Sequence, residues 1–379
     1  MRHLLQDLRR RESSMVQLLG KFVRAESPSD SKAAVDRCVR LVAAEWRKRG
    51  ARVEFLPQKH RGDHLRVELT GADRRAGQIL LLGHLDTVHG LGSLAKMPFR
   101  AARGRAWGPG TFDMKAGHVI ALFAVDVLRR ARLVPRHRIV GLFTTDEEIG
   151  SETSRALIER EARRSDAVLV LEPSSGLEGK LKTARKGVGD VEIIVTGRAA
   201  HAGINPQDGV NAVHELALQI ARVAKFNDPR RGITVNADVV EGGTRSNVIA
   251  DRARAIVDLR VVRLADAKPL ERKFRALRPI LPGAKIEVRG GINRPPMERS
   301  AGVVALYRKA QQVAAELGLS IDESSTGGGS DGNFTAALGI PTLDGLGPVG
   351  EGAHAPNENV VIARLPERAA LLAGLLASL

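Results

Sequence analysis

The stretch Ile79-Leu80-Leu81-Leu82-Gly83-His84-Leu85-Asp86-Thr87 decides how the rest of the chain is read. Ile79–Leu82 is an apolar run of strand length, and it ends on an imidazole and a carboxylate. Acidic residues are depleted from strands by propensity, so such an ending is a local inconsistency of the kind found at functional sites. The pattern recurs twice. Arg138–Thr144 is followed by Thr145-Asp146-Glu147-Glu148-Ile149-Gly150, and Ala167–Leu171 by Glu172-Pro173. Between these runs, Met114–Leu128 reads as a buried helix and Thr153–Ala162 as a second helix. Alternating strand and helix predict an α/β layer with a partly parallel sheet. In such sheets, sites gather beyond the carboxyl ends of the strands, where His84, Glu147 and Glu172 lie.

Toward the N-terminus, Ser14–Phe22 and Ala33–Trp46 carry apolar residues at helical spacing. Ser27-Pro-Ser-Asp30 forms a turn and cap between them. Arg52–Phe55 and Leu65–Leu69 read as short strands. After Lys186 the pattern changes. Val188–Val195, Ile233–Val240 and Ala253–Val262 alternate, Val210–Val223 and Ala265–Leu277 are helical, and Lys285–Val288 is a last strand. This β-α-β-β-α-β order predicts a small sheet with helices on one face. From Arg299 longer helices return, and with them His354 in Gly352-Ala-His-Ala-Pro356. If His354 joins the early acidic residues, residues 187–293 are an insertion into one discontinuous domain formed by 1–186 and 294–379.

The chain has 379 residues, 43% of them apolar and 3% aromatic, so its core must be built from Leu, Val, Ile and Ala. Lys and Arg number 59 against 43 Asp and Glu, a formal charge of +16. The arginines are spread along the whole sequence, stacking aromatics are scarce, and no zinc-finger or RNA-recognition signature is present. Nucleic acid is therefore not the expected partner. A positive field that gathers acidic substrates remains compatible with the charge. No apolar run has the length of a signal-peptide core or a bilayer span. A single cysteine, Cys38, fits a reducing compartment, and the expectation is a cytoplasmic protein without a membrane partner.

Seven side chains form the candidate site: His84, Asp86, Asp113 in Thr111-Phe-Asp-Met-Lys115, Glu147, Glu148, Glu172 and His354. Carboxylate and imidazole are zinc's usual nitrogen and oxygen ligands, and an open coordination position makes a bound zinc catalytic. In His84-Leu85-Asp86, period 2 puts both polar side chains on one side of an extended segment. Asp86 can then accept the second ring N–H of His84 and fix its tautomer. Glu147 and Glu148 crowd two carboxylates into a small volume, which is costly unless cations lie between them. The economical division is one metal ligand and one general base.

These motifs together carry a resemblance. His84-Leu-Asp86, Gly108-Pro-Gly-Thr-Phe-Asp113-Met-Lys, Asp146-Glu-Glu-Ile-Gly150, Glu172-Pro, Gly197-Arg-Ala-Ala-His201-Ala-Gly203, Gly327-Gly-Gly-Ser-Asp331 and His354 are similar to the co-catalytic zinc amidohydrolases. That family includes acetylornithine deacetylase, succinyl-diaminopimelate desuccinylase, aminoacylase and the glutamate carboxypeptidases of the carboxypeptidase G type. Arg185-Lys-Gly, Gly242-Gly-Thr-Arg-Ser-Asn247 and Asp258-Leu-Arg260 bring the chain nearest the last branch.

The resemblance implies a zinc-exopeptidase-like catalytic domain with an inserted α+β, ferredoxin-like dimerisation domain, and hence a homodimer. It implies two Zn2+ per subunit, with Co2+ or Mn2+ as substitutes. Asp113 would bridge them, with His84 and Glu172 on one metal and Glu148 and His354 on the other. Glu147 would be the general acid/base and Asp86 the residue orienting His84. A cis peptide would follow Asp113. His201 would reach a partner subunit's site to stabilise an oxyanion, with Asn247 near it. Arg294 would hold the substrate's free carboxylate, with Arg260 as runner-up, and Lys180 would lie near an acidic side-chain pocket, beside Lys182 where that pocket's usual polar residue is replaced. The implied function is hydrolysis of an amide bond next to a free carboxylate, with glutamate carboxypeptidase ranked first and N-acyl-amino-acid deacylase second. The competing class is a metal- or nucleic-acid-binding protein without catalysis.

Overall fold

A computed structural model describes residues 1–379, and the chain forms two compact units. The first comprises Met1–Ala184, Arg299–Ser325 and Ser330–Leu379. The second comprises Arg185–Glu298 with Thr326–Gly329.

The first unit is built on a six-stranded sheet. Its strands lie in the order Arg52–Leu56, His64–Leu69, Arg138–Thr144, Gln78–His84, Ser165–Val170 and Thr342–Leu343. The first two joins are antiparallel and the last three parallel. Gln78–His84 is central and wholly buried. Alternation along it serves two cores. Ile79 and Leu81 join Ile139, Phe143, Ala167 and Leu169 on one face. Leu80 and Leu82 join Val140, Leu142, Val168 and Val170 on the other. A sheet covered on both faces needs apolar residues at every position, which explains the unbroken Ile79–Leu82 run.

The larger core lies under the helices Ala116–Arg130, Arg364–Ser378, Glu12–Arg24 and Lys32–Lys48. Trp46 is fully buried there and stacks on Phe143 with ring centroids 5.7 Å apart. On the opposite face, Ile158 and Ala162 of the helix Arg155–Ala162 pack with Phe334. A helix also forms at Arg2–Arg10, whose Leu4, Leu5 and Leu8 are buried. No helix in the chain is long and apolar enough to cross a membrane.

In the second unit, four antiparallel strands lie in the order Thr234–Gly242, Arg252–Val261, Gly187–Thr196 and Lys285–Arg294. The helices Ala212–Val223 and Leu264–Arg275 complete the β-α-β-β-α-β sequence. Val191, Ile193 and Val195 point into the core with Leu216, Leu270 and Phe274. Glu192 lies on the face turned away from that core, as period 2 requires.

The boundary differs from the one read in the sequence. Arg294 belongs to the second unit, because the strand expected to stop at Val288 runs on through Gly290 and Gly291 to pair Arg294 with Val188. Both glycines have positive φ, 85° and 152°, and a bulge between Ile292 and Arg294 adjusts the register. Thr326–Gly329, quoted in part within the glycine-rich motif before Asp331, also falls here, and the Thr326 carbonyl accepts from the Lys186 N–H at 3.0 Å.

Candidate dinuclear metal site

Three strands of the first unit end at one place. His84 is level with Thr144 across the parallel pair, and Leu82 is level with Val170. The segments that follow therefore emerge together, carrying Asp86, Glu147-Glu148 and Glu172. Asp113 arrives on the irregular turn Thr111–Lys115 that precedes the helix Ala116–Arg130. The peptide Asp113–Met114 is cis. His354 sits in the loop of a short hairpin, Gly350–Glu351 with Asn359–Val361, at a φ of 64°.

Asp113 stands between two imidazoles. Its Oδ1 is 3.1 Å from His84 Nε2 and its Oδ2 is 3.5 Å from His354 Nε2. Glu172 Oε1 is 3.5 Å from His84 Nε2, and Glu148 Oε2 is 3.1 Å from His354 Nε2. Two ligand sets result, His84–Asp113–Glu172 and Asp113–Glu148–His354, each with its donor atoms within 4.8 Å of one another. Of the adjacent pair, Glu148 enters a set and Glu147 does not.

The electrostatics fit cations at this place. Three carboxylates face two imidazoles, and the buried Oε1 of Glu148 has no hydrogen-bond partner. Burial alone would depress His84, but the carboxylates of Asp113, Asp86 and Glu172 outweigh it and hold the ring well above its ordinary value. Hydrogen bonds to Asp113 and Glu148 push His354 up to about 10. Burial raises Glu148. A cluster this short of positive charge suits divalent metals, whose binding displaces the imidazole protons.

Asp86 meets His84 through two of its atoms. Its carboxylate is 3.5 Å from His84 Nδ1, whereas its own carbonyl oxygen is 3.0 Å away and takes the ring N–H. The carboxylate also accepts from the backbone N–H of Glu147 at 3.3 Å and of Glu148 at 3.2 Å, and from Ser29 Oγ at 2.7 Å. Asp86 therefore meets the ring through both its carbonyl and its carboxylate, and the glutamate turn through its carboxylate. Asp331 supports the same turn. Its buried carboxylate accepts from Thr144 Oγ1 and Ser151 Oγ, one on each side of Glu147-Glu148. In the sequence, Asp331 stands in a glycine-rich motif that gives it no role, and Ser29 is a turn serine with no signal of a partner 57 residues away.

The remaining candidates are distributed as follows. Lys180 is in the first unit, half-buried, and bridges Ser175 through its backbone. His201, Asn247, Arg260 and Arg294 are in the second. His201 is exposed, and its Nδ1 accepts from the N–H groups of Gly203 and Ile204, both at 3.1 Å. In the neutral ring this leaves the proton on Nε2. Asn247 is exposed beside it, its carbonyl accepting from Ala202 N–H at 3.0 Å. Arg260 is engaged by Asp258 at 2.7–3.0 Å and by the Gly327 carbonyl at 3.3 Å. Arg294 is buried at the end of its strand.

Residues 80–378 match the model of peptidase family M20/M25/M40. The chain belongs to that family. It is 32% identical over 376 residues to carboxypeptidase G2 of Pseudomonas sp. (strain RS-16), covering 97% of this chain and 90% of that one. A succinyl-diaminopimelate desuccinylase of Delftia acidovorans is 26% identical over 375 residues, covering 93% and 94%. The solved structure of aminopeptidase PepT from Bacillus cereus shares the fold, with a TM-score of 0.79 at 22% identity over 97% of this chain and 98% of that one. The protein is thus a hydrolytic enzyme of the metallopeptidase and amidohydrolase type, and the non-catalytic alternative is set aside.

Proposed function

We propose that the protein is a dinuclear zinc hydrolase that cleaves an amide or peptide bond next to a free carboxylate, as a glutamate carboxypeptidase does. The observation that carries this reading is Asp113, with one oxygen toward His84 and the other toward His354. His84, Glu172 and one Asp113 oxygen would hold the first cation. Glu148, His354 and the other Asp113 oxygen would hold the second. Two such cations supply a Lewis acid for the scissile carbonyl and make a nearby water more acidic.

The chain supplies the proton traffic. Glu147 adjoins the ligand Glu148 in the chain yet belongs to neither set, and its backbone N–H donates to Asp86. It accepts a proton as water attacks the carbonyl carbon, then delivers it to the nitrogen as the C–N bond breaks. His201, with its Nε2–H available, is a donor of the kind that stabilises an oxyanion, and Asn247 is its neighbour.

Substrate choice rests on cations. Arg294 is the first candidate for the free carboxylate, because its planar fork suits that group, and Arg260 is the runner-up. Lys180 remains the candidate for an acidic side chain. The likeness to carboxypeptidase G2 supports the same ranking. A panel of acyl-Glu, acyl-Asp, acyl-Leu and acetylornithine tests it, with acyl-Glu turned over fastest. Preference for acetylornithine or acyl-Leu would favour the deacylase reading instead. Arg294→Ala should lower kcat/KM for acyl-Glu by a factor equivalent to about 1.5–3 kcal/mol, and an unchanged value would remove Arg294 from the site.

The second unit is the proposed dimerisation module, with edge strands Thr234–Gly242 and Lys285–Arg294 available for pairing about a two-fold axis. If His201 acts in the partner's site, mixing and reassorting Glu147→Ala with His201→Ala protein will restore activity. Half the dimers would be hybrids with one intact site each, so recovery should approach about one quarter of wild type. No recovery, or a fully active monomer in sedimentation, would contradict the arrangement.

A further inference from the structure

Glu358 lies four residues beyond His354 in the same hairpin loop, and its side chain is fully buried. A buried carboxylate is costly unless several donors meet it. Here four do. Oε1 accepts from the backbone N–H of Phe112 at 2.8 Å and of Asp113 at 2.9 Å. Oε2 accepts from the backbone N–H of Gly110 at 2.9 Å and from His89 Nε2 at 2.7 Å. Gly110 has a φ of 70°, and a Cβ there would come within 2.7 Å of Thr87, so the turn that aims its N–H at Glu358 needs glycine. The backbone reinforces the tie, since Gly108 N–H donates to the Glu358 carbonyl and Asn359 is paired with Trp107.

One carboxylate therefore joins three segments. Gly110–Asp113 carries the shared aspartate, the 352–358 loop carries His354, and His89 lies five residues after His84. Neither Glu358 nor His89 belongs to either ligand set. We infer that Glu358 and His89 are positioning residues, with Glu358 fixing the backbone that aims Asp113 at both sets and His89 holding Glu358 in place. Groups that orient metal ligands without touching the metal set affinity as well as geometry. The inference rests on the reading of Asp113 as a shared ligand.

Competition with a chromogenic chelator measures it, using the full-length protein and zinc alone. Glu358→Gln removes the charge and turns an N–H toward either the backbone donors or His89. Its zinc affinity should fall by roughly 10–100-fold. His89 is on the margin of the site, so His89→Ala should fold and lose affinity by about 10-fold. His89→Gln, which keeps an N–H donor, should recover most of that loss. Because His89 acts through Glu358, the double variant should bind zinc within about twofold of Glu358→Gln alone. A purely structural role predicts the reverse, a lower Tm of the metal-free protein with zinc affinity of the folded protein within about twofold of wild type. That result, or additive losses in the double variant, would overturn the inference. If Glu358→Gln does not fold, His89→Ala and His89→Gln decide the matter. Wild-type protein that binds no zinc would instead overturn the metal reading, and this inference with it.

Discussion

Glu147→Ala will lower kcat/KM by about 10²- to 10⁴-fold and leave most of the bound metal in place, the range expected for loss of a general base. The two halves of this result come from different observations. Glu147 and Glu148 are adjacent, and Asp86 accepts from both backbone N–H groups, so neither is better anchored than the other. Their side chains part company beyond that point. Glu148 Oε2 is 3.1 Å from His354, and Glu148 completes a ligand set with Asp113. Glu147 completes none. Removing it therefore takes a proton acceptor from the reaction without opening a coordination position. Metal analysis alongside steady-state kinetics checks both halves. A variant that loses metal in step with activity would show that the roles of the two glutamates are reversed.

The second large effect is the complementary one. Glu148→Ala and His354→Ala each remove a donor from the set that shares Asp113, and each should weaken one zinc by more than about 100-fold, beyond what loss of a supporting residue costs. His354 is half exposed, so its removal opens little apolar core, and the variant should remain folded. Equilibrium dialysis should return about one metal per subunit where wild type holds two, because His84, Asp113 and Glu172 still form the other set. Retention of both metals by either variant would contradict the division of ligands.

Much of this centre could be read in the sequence because it sits where strand physics is violated. Apolar runs ending in His84, Glu147-Glu148 and Glu172 are the carboxyl ends of adjacent parallel strands, so three local oddities fall at one spatial address. The helices Lys32–Lys48 and Ala116–Arg130 were legible from apolar spacing, although the second begins after Lys115 rather than at Met114. Asp113 and Met114 leave helical geometry there, at ψ of 97° and 35°.

Other features had no periodic signal. Arg2–Arg10 is strongly charged, and only Leu4, Leu5 and Leu8 betray its buried face. Arg100–Ala102 and Arg105–Trp107 are three residues each, too short for alternation to register. Their turn, Arg103-Gly104, has φ of 46° and 73°, and Gly104 was the one available hint of a hairpin. Period-2 spacing puts Asp86 on the same side of the segment as His84, but its hydrogen bond to a turn 61 residues away is a tertiary fact. Glu358 was invisible for the same reason, since its partners lie about 250 residues earlier.

The most direct test of a metal-dependent hydrolase is metal content and amide hydrolysis measured on one preparation, before chelation, after it, and after zinc is restored. The expected result is two metals per subunit, turnover of acyl-Glu that vanishes when they are stripped, and recovery when they return. Turnover that survives complete metal removal would contradict it, as would two bound zincs with no hydrolysis of any N-acyl amino acid or dipeptide.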